Sequence, residues 1–159
     1  SYAYLNQMSQ QEFENIIAMV DLDSLIAGDI AYVFSDEGQL SAVRDWALEW
    51  ASGNGFNLQT VRNVDLKDPA TGKGSSDYVP FQEAGIPIAF FETTNWTLGD
   101  QKGHTQVDPR YGEHGVIRNT QYDTLAYLDA TFPGRVDEHL NLFISILYNL
   151  LTQFEAPIK

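Results

Sequence analysis

The fold class this sequence predicts is α/β, a layered domain, and three observations carry the prediction. Short apolar runs at 16–24, 30–34 and 86–91 have the length and β-branched or aromatic content of buried strands. Between and after them, apolar residues recur at helical spacing over 40–51, 124–131 and 136–154. Strands interleaved with helices in this order pack as a sheet with helices laid on it. A chain of 159 residues, 43% apolar and 13% aromatic, fits one domain with a real core.

Each element has a local reason. Ser9-Gln10-Gln11-Glu12 has the form of a capping box, which predicts a short helical turn. Residues 16–24 then read as a buried strand that ends in Asp21-Leu22-Asp23, and Ile30–Phe34 reads as a second strand. Leu40, Val43, Ala47, Leu48 and Ala51 define a helix stopped by Gly53 and Gly55. Asn57–Val64 is expected as a third strand, 65–76 as a polar loop, and Asp77–Ala84 as a short helix ended by Gly85. The nearly unbroken apolar run Ile86–Phe91 predicts a central strand, with Pro87 tolerated near its start. Residues 92–119 are irregular, and loops of that length inside a domain are usually functional. Two helices close the chain, Thr124–Thr131 and Val136–Phe154, parted by Pro133-Gly134. The last is expected to bury Leu140, Phe143, Ile144, Leu147, Leu150 and Leu151.

Charge and composition exclude several functions. Nine basic against 22 acidic residues give a formal charge of −13, which repels nucleic acid and anionic membrane. A cation held among carboxylates suits that field better. No apolar run reaches the ~18–20 residues of a membrane helix, so no membrane insertion is expected. The chain has no cysteine, hence no disulfide, thiolate zinc site or thiol nucleophile.

Short motifs narrow the chemistry further. Gly72-Lys73-Gly74-Ser75 lacks the earlier glycine of a phosphate loop, Lys67 standing in its place. The aspartates at 21, 23 and 29 lack the glycine and terminal glutamate of a calcium loop. No Gly-x-Ser-x-Gly elbow is present. His104, His114 and His139 are too far apart for a local zinc motif, and His139 is expected on the surface. Asn95-Trp96-Thr97 fits a glycosylation sequon.

Three ordered segments carry a resemblance. VDLDSLIAGD resembles the NLDMIGRGD segment of zinc aminopeptidases of the aminopeptidase S and aminopeptidase Y type. SSDYVPFQEAGIPIAFFE is similar to that family's SDHxPFxxAGIPxxFF, and RNTQYDTLAYLD to its YHTPxDTxxxLD. The stretches ETTNWTLGD and DATFPGRVDEHL are most similar to the branch of alkaline phosphatase isozyme conversion proteins. The resemblance implies a three-layer α/β/α zinc-peptidase fold, here about four strands with flanking helices. It also implies a pair of zinc ions that acidify a water, a glutamate general base, and a peptide substrate.

Carried over by motif, Asp23 falls on an aspartate that ligates zinc. Asp21 is expected to turn to the opposite side of the strand and to take no part. Asn119 falls where the family has its last histidine ligand, and an amide is a poorer zinc donor than imidazole. Arg118 replaces a tyrosine that helps hold the tetrahedral intermediate, and Tyr78 replaces a histidine. Both are candidates for substrate contact, while His104 and His114 are weaker candidates as substitute ligands. The family's early histidine, bridging aspartate and Glu-Glu pair have no counterpart in 1–159. The expectation is therefore the C-terminal portion of such a domain, cut just before Ser1, catalytically inert and without bound zinc. The alternative is a natural non-catalytic binding or interaction module. Self-association through the sheet edge that the missing half would cover is expected. Family habit implies an extracellular or cell-envelope location.

Overall fold

The computed structural model describes residues 1–35, 38–61, 76–98 and 105–155. Four strands form one mixed sheet: β1 (Met19–Leu22), β2 (Ile30–Phe34), β3 (Leu58–Gln59) and β4 (Ile88–Thr94). Their order is β1-β4-β2-β3. β1 runs parallel to β4, β2 antiparallel to β4, and β3 parallel to β2. β4 is buried along its whole length, as a strand bonded on both edges and covered on both faces must be. It also runs past the predicted end at Phe91, taking Glu92, Thr93 and Thr94 into the sheet.

Helices cover both faces, which gives the three layers. On one face α3 (Ala42–Gly53) and, after the short α5 (Leu125–Thr131), α6 (Arg135–Gln153) pack Val43, Ala47, Leu142, Phe143 and Ile146 against Ala31, Val33, Ala89 and Phe91. On the other, α4 (Val79–Glu83) brings Val79 and Phe81 onto Tyr32, Phe34, Ile88 and Phe90. Leu5 of α1 (Tyr2–Gln7) and Phe13 of α2 (Gln10–Glu14) pack against that second cluster. The capping box opens α2: the Ser9 side chain accepts from the Glu12 N–H, and Glu12 returns a bond to the Ser9 N–H at 2.8 Å. That pairing holds the Glu12 carboxyl below its usual range. α1 was not predicted. It has no side-chain cap and no buried residue, and Tyr2 fixes it by donating to Glu83 at 2.7 Å.

Several expectations are corrected. β1 is shorter than 16–24, and in the segment predicted as strand 57–64 the described strand is Leu58–Gln59 alone. Residues 62–64 and the Gly72–Ser75 motif lie outside the described residues, as does His104. α6 buries His139, Leu142, Phe143, Ile146 and Leu150, while Leu140, Ile144 and Leu151 are exposed. The helix is apolar around more than half its circumference, so periodicity alone did not fix its rotation. Contacts at its start fix it. Arg135 donates to the Ala27 carbonyl at 3.0 Å and to Asp29 at 2.7 Å, and stacks 3.7 Å above the Phe132 ring. His139 is therefore turned inward rather than to the surface, its Nδ1 3.0 Å from the Ile26 carbonyl. Burial lowers its pKa, so the ring is held neutral. Among the described residues no helix is long and apolar enough to cross a membrane.

Candidate functional site

Parallel β1 and β4 end at the same side of the sheet, and β2 begins there, with Ile30 opposite Thr94. Open α/β sheets place their ligands outside such strand ends. Beyond the Leu22–Phe91 pair, the Asp23 N–H donates to the Phe91 carbonyl at 3.0 Å, which sets Asp23 beside Glu92. The chain then turns through Ser24, which has the left-handed φ of 49°, and folds back across β4. The Thr93 hydroxyl donates to the Ser24 carbonyl at 2.6 Å and accepts from the Gly28 N–H at 2.8 Å. A Cβ on Gly28 would lie 2.3 Å from the Thr93 carbonyl carbon, so only glycine allows this approach.

The two carboxylates differ. Asp23 is exposed and accepts from its neighbour Ser24 at 2.9 Å. Glu92 is only 5% exposed, and its pKa is pushed up to about 7. Burial is the main cause; the Arg118 guanidinium, 3.8 Å away, opposes it, and the negative charge of Asp23 adds to it. A carboxyl poised near neutrality between a second carboxylate and a guanidinium can exchange a proton with whatever binds there. Sequence reading missed Glu92 because it follows an apolar run that was ended at Phe91, three residues early. The available signal was a glutamate adjoining a central strand.

The predicted site residues divide between this end and elsewhere. Arg118 stands against Glu92. Asn119 follows it, exposed, with φ 61°, its N–H donating to Asp123 at 2.9 Å. Tyr78 is 3% exposed, its ring 5.4 Å from that of Phe90 in the second core cluster. Asp21 needs a correction. Side chains alternate along a strand, so residues two apart share a face, and Asp21 does not turn away from Asp23's side. It is occupied instead, accepting from Ser76 at 2.8 Å and from the Tyr78 N–H at 3.1 Å. His114 is exposed in the loop after Glu113. Asn95 is engaged through both ends of its amide, donating to Asp29 at 2.7 Å and accepting from the Thr97 N–H at 3.1 Å. Beside Arg118 lies a cavity of about 270 Å³ walled by Ser24, Leu25, Ile26, Ala27, Leu125 and Leu128.

The donor chemistry can be set against a zinc pair. Among the described residues, no three or more His, Cys, Asp or Glu side chains come together as a metal-binding group. The candidates at the strand ends are one exposed carboxylate, a second carboxylate facing a guanidinium, and a neutral amide. Zinc takes four donors, with imidazole and unencumbered carboxylates usual in catalytic sites. These residues by themselves do not fit a zinc pair.

The sheet order, the helices on both faces and the acids at the parallel strand ends define an open-sheet α/β domain with a carboxylate site at its strand ends. Residues 1–144 match the model of peptidase family M28, and the chain belongs to that family. It is 28% identical over 155 residues to the alkaline phosphatase isozyme conversion protein of Escherichia coli (strain K12). That match covers 94% of this chain and 45% of the relative, so the chain spans about half the relative's length. No solved structure matches it.

Proposed function

We propose that residues 1–159 form the C-terminal portion of an aminopeptidase-like M28 domain, which handles the N-terminal end of peptides at the carboxyl ends of β1 and β4. The observation that carries this reading is the pairing of Asp23 with the near-neutral Glu92 beneath Arg118, in a chain of this family. Asp23 stands for one ligand of the family's zinc pair, and Arg118 for a contact to the substrate backbone. Buried Tyr78 supports the wall behind them. The other donors and the general base come from outside these residues, so the chain alone does not turn over peptides. An extracellular or envelope location belongs to the same reading, as does pairing of two copies along the open edge of β1.

A second reading has its own support. Asn119 and the Arg118–Glu92 contact suit a module that binds peptides without hydrolysing them. Zinc calorimetry and an aminoacyl-anilide assay on the 159-residue chain test the proposal together. Expected are no turnover and weak zinc binding that Asp23→Ala weakens further. Tight stoichiometric zinc with turnover would overturn the claim of inertness. Zinc binding untouched by Asp23→Ala would remove Asp23 from the site and favour the binding module.

A further inference from the structure

We infer that Gln106 and Asp123 are positioning residues, which hold Arg118 and Asn119 in a left-handed kink at the end of the sheet. The inference rests on the reading above, in which those two residues face the bound peptide. Three consecutive backbone N–H groups end on side-chain oxygens. Gln106 Oε1 accepts from Ile117 at 2.9 Å and from Arg118 at 2.7 Å, and Asp123 Oδ2 accepts from Asn119 at 2.9 Å. Between these anchors Asn119 takes φ 61°, a left-handed conformation that asparagine adopts more readily than other residues with a Cβ.

Gln106 is built for this task at its own expense. It is fully buried, and its main chain is fixed at both ends. Its N–H donates to the Gly115 carbonyl at 2.8 Å, and its carbonyl accepts from the Asp29 N–H at 2.8 Å. Its side-chain oxygen accepts twice while its Nε2 has no partner among the described residues, an arrangement that buried amides normally avoid. Turning the amide over would set its NH₂ group against two N–H donors, so the orientation follows from the bonds. Thr120 closes the turn, its hydroxyl donating to the Ile117 carbonyl at 2.6 Å. The Cα of Arg118 is thereby fixed where its guanidinium meets Glu92, and the Asn119 side chain is left exposed.

Asp123 is exposed, so Asp123→Ala leaves the core intact, and Asp123→Asn keeps an oxygen acceptor. In solution NMR, the three-bond coupling at Asn119 reads φ, and the Nε signal of Arg118 reads the placement of its side chain. Asp123→Ala is expected to shift both and to speed amide exchange at Asn119 about 10–100-fold, with β4 unchanged. Asp123→Asn is expected to restore all three. Gln106→Met should act likewise at Ile117 and Arg118, and Gln106→Glu should restore them; if either fails to fold, the Asp123 pair decides. Unchanged coupling and Nε signal in Asp123→Ala, even with a lower melting temperature, would reduce Asp123 to a structural cap and overturn the inference. Titration with Leu-Gly-Gly, read at Ser24 and Leu25, is expected to show weaker binding in Asp123→Ala. A wild-type chain that gives no peptide shifts counts against the functional reading alone, since the coupling still decides the kink.

Discussion

Replacing Glu92 with glutamine removes the most perturbed charge at the strand ends without changing its shape. In the fold this carboxyl titrates at about 7, against 4.5 unperturbed. Between those values the folded chain keeps a proton that the unfolded chain has released, so stability falls as pH rises from 4.5 to 7 and is level above. At 1.36 kcal/mol for each tenfold change in proton affinity, the gap corresponds to roughly 3 kcal/mol. The attraction of Arg118 is already contained in that value, and Glu92 is too deeply buried for solvent screening to reduce it much. Glu92→Gln should therefore match the parent near pH 4 and exceed it by roughly 3 kcal/mol at pH 8. In melting temperature this is roughly 6–12 °C for a chain of this size. Urea unfolding of both proteins at intervals from pH 4 to 8 measures the difference directly. A difference that stays constant across the series, or a variant less stable at pH 8, would refute the burial of an ionising carboxylate beside Asp23.

Three further outcomes follow from other parts of the fold. The His139 pKa is lowered by burial, so the unfolded chain takes up this proton first and stability is lost as pH falls below 6.5; an NMR titration of the ring should give a midpoint below that of a free histidine. A midpoint at or above the free value would contradict its packing under Ile26. Gly28→Ala forces a Cβ to 2.3 Å from the Thr93 backbone and should cost about 1–3 kcal/mol or more by urea midpoint, whereas an unchanged midpoint would mean that the 24–29 turn yields freely. Leu22, 45% exposed on the edge strand β1, should when replaced by lysine reduce self-association in sedimentation velocity; a parent monomeric at high concentration would remove edge pairing from the account.

What was legible in the sequence was whatever depends on local pattern. The Ser9–Glu12 box, the central position of the Ile88–Phe91 run and the helices after Thr124 follow from spacing and composition, and the structure has them. Non-local choices were not legible. Nothing around His139 in the sequence says that Arg135 will reach Asp29, more than a hundred residues back, and so turn the ring inward. Likewise Gln106 reads as an ordinary loop residue, because its role depends on Ile117 and Arg118 folding back onto it. Asp23 was found through a motif, but Glu92 emerges only once β1 and β4 are seen side by side.

The distribution of unfavourable features bears on which functional reading fits better. Ser24 and Asn119 in left-handed backbone, a buried carboxyl at Glu92 and, among the described residues, an amide donor without a partner at Gln106 all occur in the segments that meet at the ends of β1 and β4. The left-handed Ser24 and the buried Glu92 each carry a free-energy cost that a glycine or an apolar replacement would relieve. Such features are not confined to this end, since Thr60 Oγ1 and Trp96 Nε1 are also buried without a partner among the described residues and His114 is left-handed too. The core of the sheet, however, is apolar on both faces, and Asp21 is satisfied by two donors. Proteins tolerate concentrated local violations where a constellation is used. A bare structural remnant gives no reason for Gln106 to give both lone pairs to the backbone of Ile117 and Arg118. A surface that must present a guanidinium and an amide to a ligand does. A hydrolase portion and a peptide-binding module both need such a surface, and an unused scaffold does not. The choice between them falls on Asp23, because only the hydrolase reading needs its carboxylate to bear on a metal.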